Sequence, residues 1–196
     1  MEAFLLSTGL VALAEIGDKT QLLSFVLAAR YRRSLPIILG ILVATLANHG
    51  LAAYLGHLIA GLLGPEALQW ILGLGFIAMA AWILIPDKVE GHAAEGNRAT
   101  TFWKIFNLTL VLFFLAEMGD KTQIATIALA AELQSVVWVI MGTTLGMMVA
   151  NVPAVLVGEK LATRLPSSLI RRLAALGFFL TGLAILFFNQ GSVLDA

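Results

Sequence analysis

The segment Glu15-Ile16-Gly17-Asp18-Lys19-Thr20-Gln21 lies inside an apolar run from Phe4 to Ala29, and Glu117-Met118-Gly119-Asp120-Lys121-Thr122-Gln123 lies inside a second run from Phe102 to Ala131. The offset of 102 residues carries on past the two segments. It lays Ala28-Ala29 on Ala130-Ala131, Gly40 on Gly142, Gly56 on Gly158, and Gly75-Phe76 on Gly177-Phe178. A duplication of that extent covers nearly the whole chain and governs how the rest is read.

A bilayer core of about 30 Å takes about 20 mostly apolar residues per helix. Around the two segments the sequence offers six such runs: Phe4 to Ala29, Leu35 to Leu63, Ala67 to Ile85, Phe102 to Ala131, Val136 to Ala162 and Leu169 to Phe188. Polar residues, Gly and Pro punctuate them, and only the stretch from Pro86 to Thr101 is long enough to be a linker. The prediction is an all-α integral membrane protein with six transmembrane helices. A first three-helix repeat covers 1–86, a linker 87–101, and a second three-helix repeat 102–196. Three spans is an odd number, so the second repeat enters the bilayer from the opposite face and the repeats are inverted, with a site expected near the midplane where they meet.

Lys and Arg near helix ends stay on the cytoplasmic side. Connections one, three and five hold ten of them: Arg30, Arg32, Arg33, Lys88, Arg98, Lys104, Lys160, Arg164, Arg171 and Arg172. The termini and the other two connections hold none. The linker is therefore expected in the cytoplasm and both termini outside it. Trp70, Trp82, Trp103 and Trp138 fall near helix ends, where amphipathic rings meet the headgroups.

Composition excludes several classes of function. The 196 residues are 60% hydrophobic and 12% charged, against roughly 45–50% and about 25% in a soluble domain. Net charge is zero without one-sign blocks, so no nucleic-acid partner is expected. With no cysteine there is no disulfide, thiolate ligand or thiol catalysis. Ala12-Leu13-Ala14 imitates a signal-peptide cleavage site, but no Lys or Arg precedes Lys19 and the pattern recurs in mid-chain at Leu115-Ala116-Glu117, so cleavage is not expected.

Glu15 lies about 11 residues into its run and Glu117 a similar distance into the second, which at about 1.5 Å per residue puts both roughly 17 Å deep. Taken as continuous helices, the two runs put Glu15, Asp18 and Lys19 on one face, and Glu117, Asp120 and Lys121 on another. Such residues cost about 3 kcal/mol each at that depth, so they must face one another or water. Four carboxylates converging on one level suit a hard or borderline divalent cation such as Mn²⁺, Ca²⁺ or Mg²⁺. Gly17 and Gly119 allow a close crossing or local unwinding that frees carbonyl oxygens. Gln21, Gln123, Asn48 and Asn151 are candidate neutral oxygen ligands, although helix–helix hydrogen bonding is an equal reading of the two asparagines. Lysine ammonium groups cannot ligate a metal, so Lys19 and Lys121 are read chiefly as charge-balancing.

Plainer readings stand beside this one. Glu15 with Lys19 could be a structural ion pair, which would not need the extra carboxylate or a second copy. His49 and Met118 are read as packing residues, and Gly40, Gly56, Gly142, Gly146 and Gly158 as close-packing positions. A membrane metal-dependent enzyme and a structural membrane subunit are the rival classes; the first has no use for an antiparallel duplicate, and the second leaves the symmetrical carboxylates unexplained.

On these two motifs the chain resembles the family of cation/proton antiporters defined by paired Glu-x-Gly-Asp-Lys/Arg-Thr/Ser motifs, once catalogued as uncharacterised protein family 0016. Its bacterial members are manganese exporters and its eukaryotic relatives are Golgi manganese and calcium transporters. The resemblance implies a secondary transporter, not an enzyme, that exports Mn²⁺, or alternatively Ca²⁺, across the inner (plasma) membrane by proton antiport. Glu15, Asp18, Glu117 and Asp120 would be the metal ligands. No cofactor is implied beyond the transported ion and protons. The lipid bilayer is the surrounding partner, and the chain is expected to act as a monomer or homodimer.

Overall fold

A computed structural model describes residues 1–85, 101–157 and 167–188. Eight helices make up the described residues: α1 (Glu2–Glu15), α2 (Lys19–Tyr31), α3 (Ser34–Leu62), α4 (Pro65–Ile83), α5 (Phe102–Glu117), α6 (Lys121–Leu133), α7 (Val136–Val157) and α8 (Ser167–Phe188). No strand occurs among them. Apart from Thr101, the linker expected over 87–101 lies outside the described residues.

The expectation of continuous helices from Phe4 to Ala29 and from Phe102 to Ala131 is corrected. Each run is broken inside its motif, and α5 and α6 meet at 71°. The cause is local chemistry. Gly17 has φ +89° and Gly119 has φ +73°, in the left-handed region where glycine pays no Cβ penalty. The residue before each glycine turns extended, Ile16 at φ −66°, ψ 116° and Met118 at φ −64°, ψ 118°. Asp18 and Asp120 then stand as N-caps of α2 and α6 with ψ of 170° and 168°. One backbone path is drawn twice. Each short second helix also closes on a left-handed residue, Arg32 or Gln134, again 102 positions apart.

Among the described residues three helices are long and apolar enough to cross a bilayer, Ser34–Leu62, Glu66–Ile83 and Val136–Leu156, and the bent pair α5 with α6 makes a fourth if taken as one span. In α8 the apolar part is the shorter stretch Ala175–Phe187. Leu51, Leu55, Leu74, Met141, Leu145, Leu176 and Leu180 are exposed on their helices, as faces turned to lipid require.

Packing interleaves the halves. Helix α1 lies on α7 and α5 on α3, while α3 packs on α7 and α4 on α8. The contacts exchange under the repeat. A Cβ on Gly142 would stand 2.6 Å from the Phe4 carbonyl oxygen and 3.0 Å from Ser7 Cβ; one on Gly40 would stand 2.9 Å from the Phe106 carbonyl oxygen and 2.8 Å from Thr109 Cβ. Phe4 and Ser7 are the counterparts of Phe106 and Thr109. Gly56 against the Ile127 carbonyl and Gly146 against Thr8 and Ala12 are equally tight, so four of the five expected close-packing glycines hold that place. Gly158 lies outside the described residues. Phe76 and Phe178, also repeat counterparts, stack 5.9 Å apart and fill the α4–α8 interface.

Candidate functional site

The two helix breaks bring three of the four motif acids together. Glu15 and Asp18 do not meet as neighbours on one helical face, as a continuous helix would have it. They meet across a turn in which the Asp18 N–H donates to the Glu15 carbonyl at 3.0 Å, and the Asp120 N–H likewise donates to Glu117 at 3.2 Å. One carboxylate oxygen from each of Glu15, Asp18 and Asp120 lies within 4.8 Å of the others. The cluster thus draws acids from both motifs.

Each glutamate is held by one oxygen only. Thr20 Oγ1 donates to Glu15 Oε2 at 2.7 Å, and Thr122 Oγ1 donates to Glu117 Oε2 at 2.9 Å. Both side chains are completely buried, and Oε1 of each takes no hydrogen bond among the described residues. A buried acceptor left unpaired costs about 1–3 kcal/mol. Two such atoms at equivalent positions fit a place where a cation or a proton is the partner. Lys19 Nζ lies 2.7 Å from Asp120 Oδ1, so the first motif's lysine balances the second motif's acid.

The four amides expected as ligands brace the site. Gln21 Oε1 accepts from the Gly17 N–H at 2.9 Å, and Gln123 Oε1 from the Gly119 N–H at 2.7 Å. The glutamine at the third helical position reaches back to the glycine before the N-cap aspartate, one residue further than in a capping box. Their nitrogens cross to the other half: Gln21 Nε2 donates to the Ala150 carbonyl at 2.9 Å, and Gln123 Nε2 to Asn48 Oδ1 at 3.3 Å. Asn48 in turn donates to the Phe114 carbonyl. Asn151 Oδ1 accepts from Ser24 Oγ at 2.7 Å while its nitrogen donates to Met147. Each amide oxygen already accepts one bond from the protein, leaving one lone pair apiece.

Sequence reasoning left Thr20, Thr122 and Ser24 without a role. The signal for the threonines was present, since each stands five residues after the motif glutamate in both copies. His49, expected to be a hydrogen-bonded packing residue, is buried with neither ring nitrogen bonded among the described residues. In strict register it matches Asn151, the residue that binds Ser24 in the other half.

Two motifs with one backbone path, carboxylates pooled between them and a whole-chain repeat make a distinctive pattern, and comparison with known proteins gives it a place. The profile of the family described as "Divalent cation/proton antiporter GDT1" matches residues 3–91 and again 105–192, once on each half. The chain belongs to this family. It is 51% identical, over 96% of its length and 92% of the relative's, to a protein of Vibrio cholerae described as "Putative manganese exporter". It is 30% identical to "GDT1-like protein sll0615" of Synechocystis, covering 92% of this chain and 94% of that one. To "GDT1-like protein 4" of Oryza sativa subsp. indica it is also 30% identical, over 90% of this chain and 70% of the relative. No solved structure matches the chain. Membership makes this a protein of a divalent-cation transporter family with several apolar helices.

Proposed function

We propose that the chain is a six-span secondary transporter, built as two inverted repeats over 1–86 and 102–196, that exports Mn²⁺ from the cytoplasm in exchange for protons. The observation that carries the reading is the pooled cluster of Glu15, Asp18 and Asp120, whose oxygens lie within 4.8 Å of one another. Its second support is the pair of buried glutamate oxygens that take no hydrogen bond among the described residues. Glu117 completes the acid set by repeat symmetry. Oxygen donors at this spacing take a hard or borderline divalent cation, with Mn²⁺ favoured here by the description of the Vibrio relative.

In this reading the broken helices form one span each, and the breaks lie at the level where the halves cross. Unwound backbone carbonyls and the C-terminal ends of half-helices at such breaks are how many transporters hold a cation near the midplane. Gln21, Gln123, Asn48 and Asn151 fix the breaks and have a lone pair each to offer. The protein sits in the plasma membrane with both termini outside the cytoplasm.

The test is uptake by proteoliposomes made from the purified chain alone, with Mn²⁺, Ca²⁺ and Mg²⁺ in competition. Saturable Mn²⁺ transport that Ca²⁺ inhibits only in large excess is expected. Preference for Ca²⁺ over Mn²⁺ would move the assignment to calcium export, and absence of transport of all three would end it.

A further inference from the structure

Among the described residues, two pairs of buried polar atoms at repeat-equivalent positions take no hydrogen bond. One pair is Oε1 of Glu15 and of Glu117. The other is the hydroxyl of Ser7 and of Thr109, both completely buried. Thr45, His49 and Thr144 carry such atoms too, but their counterparts Met147, Asn151 and Leu42 do not. A hydroxyl in an apolar helix can satisfy itself by donating to the carbonyl four residues back. Thr8, Thr126, Thr143 and Thr181 do so here; Ser7 and Thr109 do not. A buried hydroxyl left unbonded is a standing cost, and the same cost at two equivalent places fits a partner that comes and goes.

Each hydroxyl stands on the stripe that ends at its motif glutamate. Ser7, Val11 and Glu15 follow one another every four residues on α1, as Thr109, Phe113 and Glu117 do on α5, and all six are completely buried. Eight residues at about 1.5 Å each put the hydroxyl about 12 Å from the glutamate along the helix, toward its N-terminus. Inverted halves would send the two stripes opposite ways. The packing supports this, because Gln69 reaches the Ile185 and Leu186 carbonyls, Gly73 meets Gly182 and Phe76 meets Phe178, so the equivalent helices α4 and α8 run antiparallel. Small residues press on both stripes. A Cβ on Gly142 or Gly146 would stand 3.0 Å from the Cβ of Ser7 or Val11, and one on Gly40 would stand 2.8 Å from that of Thr109. We infer that the stripes are the two legs of the ion path, one from the acid cluster to each face of the membrane, with the Ser7 and Thr109 hydroxyls as stations where the cation exchanges water for protein oxygen. Val11 and Phe113 close the legs one turn from the glutamates. A leg opens when α1 parts from α7, or α5 from α3. This rests on the reading of the cluster as a divalent-cation site.

The experiment has two arms. The chain has no cysteine, so Ser7→Cys and Thr109→Cys are single reporters in the full-length protein. In right-side-out and inside-out membrane vesicles, a small impermeant cationic methanethiosulfonate reacts with thiols that meet water. Ser7→Cys should react from the outer face alone and Thr109→Cys from the cytoplasmic face alone, although both positions are buried while the legs are closed. Val111→Cys, on the exposed side of α5, should not react. Failure of either station thiol to react, or reaction of both from one face, would overturn the legs. Reaction from opposite faces in the reverse order would keep the legs and reverse the topology. The second arm removes the hydroxyls. Ser7→Ala and Thr109→Val should each lower Mn²⁺ transport in proteoliposomes about tenfold, as loss of one oxygen contact to a cation does, while the melting temperature holds or rises because no bond is lost. Retained transport in both variants would refute the stations, and so would a clear fall in melting temperature, which would give the hydroxyls a structural bond. A wild-type chain that moves no Mn²⁺ would instead refute the cargo assignment and leave the labelling arm to decide the legs.

Discussion

At the scale of single residues the site depends on two glycines and four acids. A Cβ on Gly119 would meet nothing within 4 Å, so substitution there acts through the backbone alone. With φ at +73°, alanine should cost about 1–2 kcal/mol, and asparagine, which visits the left-handed region, markedly less. Thermal unfolding in detergent, read beside Mn²⁺ uptake, checks the order Gly, Asn, Ala; an alanine variant as stable and active as wild type would show that the break is not fixed by this conformation. The acids answer to a different argument. Replacing Glu15, Asp18, Glu117 or Asp120 by its amide removes a charge whose insertion is costly, so a folded protein is expected with transport reduced about a hundredfold or more. The pooled cluster predicts comparable losses from both motifs. Retained export by Glu117→Gln beside loss by Glu15→Gln would take the second glutamate out of the site. The acids were legible in the sequence because charge inside an apolar run is expensive and must be explained. The threonines that orient Glu15 and Glu117 were not, because a hydroxyl in an apolar run costs little and is common there for packing reasons.

At the scale of helices, hydropathy marked the apolar runs but hid the breaks within two of them. Apolar residues continue on both sides of Glu15 and of Glu117, so a window average passes straight through. The signal that breaks the helix is stereochemical: a glycine able to take positive φ followed by an aspartate suited to an N-cap, as in Gly17-Asp18 and Gly119-Asp120. Sequence reasoning allowed local unwinding at these glycines but built its geometry on a continuous helix, and so placed Glu15 and Asp18 on one face. Glycine packing was better foreseen, since small residues at equivalent places in two apolar helices have few other uses. It yields a paired prediction. Gly40→Ala and Gly142→Ala push a methyl against the same counterpart atoms in the two halves, so each should destabilise by about 1–3 kcal/mol through overpacking. The opposite sign is expected where helices α2 and α6 end: Arg32 and Gln134 are held at φ of 50° and 46°, and Gln134→Gly should stabilise by about 0.5–1 kcal/mol. Chemical or thermal unfolding that showed Gln134→Gly to be destabilising would mean that the Gln134 amide, which donates to the Ala131 carbonyl, outweighs the backbone strain.

For the whole molecule the governing quantity is charge. Four motif carboxylates and two lysines sum to minus two, and one divalent cation cancels it. When the cation leaves, two negative charges remain in a site walled by apolar helices, where carrying them across the bilayer is costly. Two protons restore neutrality. A carrier that is neutral both when loaded with metal and when loaded with protons can turn over without moving net charge, so one cation should exchange for two protons and the exchange should be electroneutral. An inward proton gradient would then drive metal out of the cytoplasm, given the orientation implied by ten Lys and Arg in connections one, three and five and none in the others. That orientation is itself open to test, since a chain without cysteine accepts single reporter thiols. A thiol at position 2 should be labelled by an impermeant reagent on intact cells; labelling only after permeabilisation would reverse the topology and with it the direction of export. The coupling is decided in proteoliposomes holding the purified chain. An imposed pH gradient, acid inside the vesicle relative to the bath, should drive Mn²⁺ accumulation against its gradient. A membrane potential of about 100 mV, worth about 2.3 kcal/mol for each charge moved, should change the initial rate little if no net charge crosses. Accumulation that follows the potential and ignores the pH gradient would show that the cation crosses uncompensated, and the neutral exchange would be wrong.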